Sequence, residues 1–315
     1  MDGISHIVIE VADLARAKEF YRLVGFELTS DNGLPECGRS ALFRTASGQA
    51  VILSESSQPR SLPETGVHQA YRISISDRNA VAQKLAAWNV TVHTYEEDRP
   101  REKGDNFYFY DPDGNRIQLV APSGSPDGSA KILGIDHAAI ECHDVEWAED
   151  FYVKKLGLEV DHRVGWRTDD YVRATLWGEG KEHMAPGTRR WDHRYTVMEQ
   201  KRRLPRPNTH FFVRVGDAIL GIYLATQHRQ EPPEEQLVGT PRIGFRAGCQ
   251  TIERVTQVLA ASRMPMKGPV EHQNSALIAA SLYIRDPSGN FLELCVPRDN
   301  SPKLEDRELR IKQIT

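Results

Sequence analysis

The side chains most able to carry out chemistry in this chain are histidines and one glutamate that stand in apolar, β-rich segments. His6 and His137 occupy the same place in two similar segments, and Glu293 lies in an otherwise apolar run. Imidazole and carboxylate groups are ligands of first-row transition metals. A buried carboxylate without a partner is costly, so Glu293 needs a metal ion or an ion pair, for which Arg242 is the candidate.

An internal repeat positions the two histidines. In both copies a β-rich strand is followed by an aspartate that can cap a helix, by a Phe-Tyr pair and by a glycine that can end the helix. The separation is 15 positions from His6 to Tyr21 and again 15 positions from His137 to Tyr152. Agreement in both residue type and spacing indicates a duplication.

Two further segments also repeat, each with a strand, an amphipathic helix and a closing hairpin. The hairpin turns read Asp-Pro-Asp-Gly-Asn and Asp-Pro-Ser-Gly-Asn, in which proline fixes φ and glycine accepts positive φ. The helices are expected at Asn79–Trp88 and Thr251–Ser262, and the hairpins at Phe107–Val120 and Ser281–Cys295.

The sequence therefore predicts four modules of one βαβββ type, at about 3–57, 66–122, 134–227 and 239–297. A run rich in Gly, Pro and Ser separates the second module from the third and indicates a linker. The expected division is an N-terminal paired domain at 1–122, a linker at 123–133, a C-terminal paired domain at 134–297 with an insertion at about 166–208, and a charged tail at 298–315. The insertion has the length of a loop that covers a pocket.

Composition excludes several classes of protein. The 315 residues carry 40 Lys and Arg against 44 Asp and Glu, a formal charge of −4, which predicts binding to neither nucleic acid nor an anionic membrane. No apolar run has the length of a membrane span, and the N-terminus lacks the pattern of a signal peptide. The four cysteines form no CxxC pair, so we expect buried thiols in a reduced, cytoplasmic protein.

The repeated opening and the closing Asp-Pro-x-Gly-Asn-x-x-(Glu/Gln)-Leu resemble the vicinal oxygen chelate superfamily. That superfamily contains glyoxalase I, fosfomycin-resistance proteins, bleomycin-binding proteins and extradiol dioxygenases. The resemblance covers most of residues 3–297. It implies an α+β fold in which pairs of modules form two open barrels, and four modules in one chain are most similar to the extradiol dioxygenases.

The resemblance also implies where metal ligands lie, namely on the first strand of each module and on closing strands. These positions are His6, His68, His137 and Arg242 on first strands, and Gln118 and Glu293 on closing strands. The extradiol pattern is two histidines and one carboxylate on Fe(II). Neither half carries that full set, since Arg242 replaces a histidine in one and Gln118 replaces the carboxylate in the other.

Module pairing decides which of these side chains meet. Pairing within the C-terminal half would bring His137 to Glu293. Pairing of the first module with the fourth would instead bring His6 to Arg242 and Glu293. In that case the second module would pair with the third, and His68, Gln118 and His137 would form the other cluster.

Three more residues are candidates for roles at the site. His210 is a candidate general base, because its ordinary pKa lies near neutrality. Arg242 is a candidate clamp for a substrate carboxylate or phosphate, and Tyr283 a candidate to line an aromatic pocket. Each has a structural alternative: core packing for His210 and Tyr283, and an ion pair with Glu293 for Arg242.

These observations predict a metal-dependent enzyme whose metal ligands come from His137, Glu293, His6 and His68. Extradiol cleavage of a small aromatic diol with Fe(II) is the first expectation, with Mn, Zn or Ni as other metals. A glyoxalase-like lyase or isomerase is an alternative, and so is a metal-free binding protein of the bleomycin-resistance type. The expected partner is a small molecule, and a homo-oligomer is possible because module edges are exposed.

Overall fold

The computed structural model describes residues 1–60, 67–93, 106–122, 131–164, 210–225 and 232–298. Within these ranges the chain forms two mixed β-sheets of eight and seven strands with helices packed against them, which confirms the α+β class. The expected insertion and the tail after Arg298 lie outside the described residues, as does most of the linker.

The first sheet joins strands from both ends of the chain. In sheet order its strands are β13 (Met266–Glu271), β14 (Ile278–Arg285), β15 (Phe291–Pro297), β12 (Arg242–Arg246), β1 (Gly3–Val11), β4 (Ala50–Glu55), β3 (Ser40–Arg44) and β2 (Glu27–Ser30).

The second sheet is built from the middle of the chain. In sheet order its strands are β6 (Phe107–Tyr110), β7 (Arg116–Val120), β5 (His68–Arg72), β8 (Gly134–Cys142), β11 (Ala218–Leu224), β10 (His210–Val215) and β9 (Glu159–Val164).

Side-chain caps fix where the helices begin. The carboxylate of Asp13 accepts from the first backbone amides of α1, and Gly25 ends that helix with a φ of 113° that glycine tolerates. Ser74 caps the second helix in the same way, so this helix begins four residues before the expected Asn79. The helices are α1 (Leu14–Val24), α2 (Ile75–Ala87), α3 (Val145–Glu149, continued by a π-helical turn at Asp150–Lys155) and α4 (Cys249–Ala261).

The sheets pair the modules across the two halves, which corrects the expected division into an N-terminal and a C-terminal paired domain. Strand β1 runs antiparallel to β12, so the first module shares a sheet with the fourth. Strand β5 runs antiparallel to β8, so the second module shares a sheet with the third. The repeats are real, but each barrel takes one module from each half.

The Asp-Pro-x-Gly-Asn turns hold the two modules of each half together. In the N-terminal half, the hydroxyl of Tyr21 donates to Asp111 Oδ2 at 3.1 Å, and Asn115 Nδ2 donates to the carbonyl of Glu10 at 3.0 Å. Burial raises the pKa of Asp111 to about 6, against hydrogen bonds from Asn115 that lower it. The turn of the second module thus contacts strand β1 and helix α1 of the first module.

The C-terminal half repeats this arrangement. The hydroxyl of Tyr152 donates to Asp286 Oδ2 at 2.8 Å, and Asn290 Nδ2 donates to the carbonyl of Glu141 at 2.8 Å. The Phe-Tyr and Asp-Pro-x-Gly-Asn motifs therefore form a structural contact, in which the tyrosine of one module meets the turn aspartate of the next.

The cysteines follow the sequence expectation except at one position. Cys37, Cys142 and Cys295 are buried free thiols, whereas Cys249 is exposed because it begins helix α4 at the surface. Among the described residues, no helix is both long enough and apolar enough to cross a membrane.

Candidate functional site

Strand alternation divides each sheet into a face that packs on helices and a concave face. On β8, Ala138, Ile140 and Cys142 belong to the hydrophobic core. His137 and Glu141 alternate with them and therefore face the concave side. The first strands of the modules thus present their functional side chains to the inside of the open barrels.

Two histidines from different modules meet on the concave face of the second sheet. His68 Nε2 lies 2.8 Å from His137 Nε2, on the adjacent strands β5 and β8. His68 is buried, while the side chain of His137 is 18% exposed and so remains accessible. The structure therefore brings together two of the four expected metal ligands.

Asp136 orients the second of these imidazoles. Its Oδ2 lies 2.7 Å from His137 Nδ1, and Arg72 Nε lies 3.2 Å from the other oxygen. Burial raises the pKa of Asp136, but His137 and Arg72 outweigh burial and lower it, so this side chain is a carboxylate. The carboxylate favours a proton on Nδ1 and leaves the Nε2 lone pair directed at His68, as in the outer shell of metal-bound histidines.

Gln118 supplies a third donor on the same face. Register places Gln118 beside Ala70 and Ala70 beside His137, so all three lie in one row across β7, β5 and β8. Gln118 is 1% exposed, and its Oε1 has no hydrogen-bond partner among the described residues. A buried amide oxygen without a partner is costly, and a cation would satisfy it.

Aromatic rings flank this group on both sides. On β6 the ring of Tyr108 meets His68 edge-on with 5.6 Å between centroids. On the opposite side His210 stacks on Tyr223 at 4.4 Å and meets Phe212 edge-on at 5.1 Å. His210 therefore shares the second sheet with His137, and not the first sheet with Glu293.

The first sheet gathers a different set, centred on Glu293. His6 Nε2 lies 3.2 Å from Glu293 Oε2, and Ser281 donates to the other carboxylate oxygen. The guanidinium of Arg242 places Nε 2.8 Å from the same Oε2, close enough for an ion pair although not aligned as a hydrogen bond. His6, Ser281 and Glu293 are all fully buried.

Arg242 and Tyr283, which the sequence analysis proposed as substrate-binding residues, belong to this cluster. Arg242 Nη2 donates to Glu36 Oε1 at 3.0 Å, and the Tyr283 hydroxyl donates to the same oxygen at 2.7 Å. Arg242 is 2% exposed and Tyr283 is 3% exposed. Both are therefore committed to partners within the protein.

Sequence reasoning missed Glu36, which lies in a short 3₁₀ turn at Pro35–Cys37. No repeat or motif marks this position, and only the fold brings it to a strand some 200 residues away. Asp136 was missed too, although a carboxylate next to a candidate ligand histidine is a signal that the sequence does contain.

The Glu293 cluster does not suit a metal ion. Burial raises the pKa of Glu293, but the charges of His6 and Arg242 and the hydrogen bond from Ser281 lower it to about 2 overall. A divalent ion on Glu293 Oε2 would lie against a guanidinium that already neutralises that oxygen. The expected pairing of His137 with Glu293 is also wrong, because the two residues lie in different sheets.

The His68–His137 group does suit a metal ion by its donor chemistry. Among the described residues, no three His, Cys, Asp or Glu side chains are placed to hold a metal. A metal ion held by the two imidazoles would therefore need a third ligand, for which the amide oxygen of Gln118 in the same row is the candidate. Imidazole nitrogen and amide oxygen are both neutral donors that accept divalent transition metals.

A cavity of about 640 Å³ lies between the two sheets. It reaches His68, Arg116 and Glu141 on the second sheet, and Glu10 and Arg242 on the first. Its size falls within the range of small-molecule pockets. The His68 edge of the candidate site is thus open to a space that can hold a small ligand.

Several solved structures align with this chain. A "putative dioxygenase" from Bacillus subtilis aligns with 94% of this chain and 85% of its own, with 15% identity and a TM-score of 0.59. Glyoxalase I from Zea mays aligns with 93% of this chain and 92% of its own, with 17% identity and a TM-score of 0.58. FosX from Listeria monocytogenes, solved with Mn(II) and sulfate, aligns with 39% of this chain and 93% of its own, with 25% identity and a TM-score of 0.33.

Family assignment rests on the sequence as well as on the fold. No curated protein sequence matches this chain. The sequence model of one superfamily matches residues 3–119 and 134–294, so the match includes both halves and all four modules. The chain belongs to the Glyoxalase/Bleomycin resistance protein/Dioxygenase superfamily.

Proposed function

We propose that this protein is an enzyme that uses a divalent metal held by His68, His137 and Gln118. Its substrate would be a small molecule that presents two adjacent oxygens. The observation that carries the proposal is the 2.8 Å approach of the two Nε2 atoms. Two imidazole nitrogens bound to one metal at about 2.0–2.1 Å and at right angles lie roughly 3 Å apart, so the pair already has a suitable spacing.

The residues around the site support this proposal. A bound divalent metal would supply a Lewis acid that polarises substrate oxygens. Asp136, whose Oδ2 lies 2.7 Å from His137 Nδ1, would hold this imidazole in the tautomer that presents Nε2. His210, on the wall of the same barrel, is proposed as the general base that accepts a proton from the substrate. Tyr108 and Tyr223 would hold a planar substrate between the two walls.

The donor set favours a glyoxalase-like lyase or isomerase. Non-haem Fe(II) oxygenases use two histidines with a carboxylate, and here the third donor is the amide of Gln118. A set without an anionic ligand leaves more of the positive charge on the metal, which favours proton abstraction next to a carbonyl. In this reaction His210 moves the proton and no oxidant is consumed.

Extradiol cleavage of a small aromatic diol with Fe(II) is the second candidate, and a different observation favours it. Rings on both walls, among them Tyr108, Phe212 and Tyr223, suit an aromatic substrate. Oxygen uptake separates the two reactions. Consumption of oxygen with catechol by the Fe(II)-loaded protein would support ring cleavage, and deuterium exchange into dihydroxyacetone without oxygen uptake would support the lyase or isomerase.

Metal content tests the site itself. We expect one divalent ion per chain in the wild type, lost in His68→Ala and in His137→Ala. His6→Ala is the matched control, because His6 occupies the equivalent strand position in the cluster that does not suit a metal. Metal lost only in His6→Ala, or retained in both site variants, would contradict the proposed site. Self-association and a cytoplasmic location stay predictions.

A further inference from the structure

An arginine lies next to His68 on the concave face of the second sheet. Strands β5 and β7 are parallel with Gln69 opposite Ile117, so the preceding residues, His68 and Arg116, are neighbours in the next row. Arg116 is two positions before Gln118 and therefore shares its face. The site thus has a fixed positive charge beside two of the proposed ligands.

The ring of Tyr108 positions this guanidinium. Arg116 Cζ lies 4.5 Å from the Tyr108 ring centroid, in the geometry of a cation–π contact. The same ring meets His68 edge-on, with 5.6 Å between ring centroids. The imidazole and the guanidinium therefore both contact the ring of Tyr108.

Arg116 and His68 both line the 640 Å³ cavity, so one bound molecule can reach both. Two carboxylates also line it. Glu10 accepts hydrogen bonds from the Arg60 amide at 2.7 Å and from Thr240 at 2.6 Å. Glu141 lies on β8, which strand β5 separates from Arg116 on β7. The anionic end of a ligand is therefore favoured on the Arg116 side of the cavity.

We propose that Arg116 anchors a carboxylate of the substrate and so determines specificity. The substrate class is then a small compound with two adjacent oxygens at the metal and a carboxylate that reaches Arg116 in the same cavity. A planar guanidinium pairs with a carboxylate through two hydrogen bonds, which Lys does less well. The placement of the two adjacent substrate oxygens at a metal rests on the proposed function, whereas the recognition of the carboxylate by Arg116 does not.

Other arginines of the cavity are less suited to this role. The side chain of Arg242 is only 1% exposed and belongs to the first sheet, away from His68. Arg60 lies 6.0 Å from the ring of Phe291, a residue of the first sheet, and thus on the far side from His68. Arg60→Gln is therefore the matched control, since it removes a guanidinium from the same cavity.

Binding of two probes, measured by titration calorimetry with and without added Mn(II), tests the proposal. The probes are catechol and 3,4-dihydroxybenzoate, which differ only by a carboxylate. We expect the wild type and Arg60→Gln to bind 3,4-dihydroxybenzoate roughly tenfold or more tightly than catechol. Arg116→Gln should lose this preference, and Arg116→Lys should retain part of it.

The result also separates this proposal from the proposed metal site. Equal affinity for the two probes in the wild type, or a preference that survives in Arg116→Gln, would show that Arg116 is not the anchor. A preference that depends on Arg116 in protein that binds no metal would support the anchor and contradict the metalloenzyme. Loss of the preference in Arg60→Gln instead would overturn the assignment to Arg116.

Discussion

At the scale of the residue, the two barrels satisfy their buried polar groups in different ways. In the first, Glu293 is neutralised by Arg242 and hydrogen-bonded by Ser281. In the second, Gln118 keeps a buried oxygen without a partner among the described residues, beside two facing imidazoles. The first arrangement is complete within the protein, whereas in the second the oxygen of Gln118 could accept a cation, as proposed above.

The pH dependence of stability should report the ionised Glu293. Its pKa in the folded protein, about 2, lies below the ordinary value of 4.5. Its stabilising contribution is therefore present above pH 4.5 and is lost as the pH falls towards 2. The free energy of unfolding, measured with urea, should fall by roughly 3 kcal/mol over this interval. It should fall by less in Glu293→Gln. An identical pH profile in the variant would contradict the prediction.

Removal of Arg242 should be far more costly than removal of an exposed arginine. Arg242→Met leaves a buried carboxylate without its main counter-charge and should lower the free energy of unfolding by about 3–5 kcal/mol. Arg39→Met, which removes an exposed ion pair with Glu55, should cost less than about 1 kcal/mol. If chemical denaturation gives equal losses of the free energy of unfolding in the two variants, Arg242 is not the main counter-charge of a buried carboxylate.

At the scale of the element, the hairpin turns connect modules rather than supply the site. The Asp-Pro-x-Gly-Asn turns were recognised from the sequence as tight turns that begin the closing strands. The structure adds that their aspartates receive the tyrosine hydroxyls of the preceding modules. This contact explains why the Phe-Tyr pair and the turn occur together in each half.

Loss of one tyrosine hydroxyl should weaken this contact measurably. Tyr21→Phe removes a hydrogen bond to the buried Asp111 and should lower the free energy of unfolding by about 1–3 kcal/mol. Tyr110→Phe is the control, since Tyr110 lies half-buried on the concave face and its hydroxyl makes no hydrogen bond among the described residues. If the midpoint of thermal unfolding shifts equally in both variants, the hydroxyl of Tyr21 contributes no more to stability than the hydroxyl of Tyr110, and the prediction is wrong.

At the scale of the whole molecule, each sheet depends on strands from both halves. Without β12, strand β1 would present an unpaired edge, and the same holds for β5 without β8. Unpaired apolar edges favour aggregation. The two halves are thus parts of one folding unit, although the repeats suggest two domains.

Separated halves should consequently fold only together. A chain divided within residues 123–130 should give insoluble or unfolded halves when each is expressed alone, and a 1:1 complex when they are co-expressed. Size-exclusion chromatography and circular dichroism provide the measurement. A stable, monomeric N-terminal half would contradict the sheet order and favour the pairing expected from the repeats.

The sequence by itself determined the α+β class, the four modules and the superfamily, because these depend on local patterns: strand alternation, helix caps and turn residues. It also identified most residues of both clusters, but not Ser281, Glu36 or Asp136. Only the tertiary structure decided that His68 meets His137 and that Glu293 meets Arg242. The physical reason is that all four modules present similar strand edges, so a strand's local pattern does not specify its partner. The partner is selected by the edges and apolar faces that the whole chain buries together.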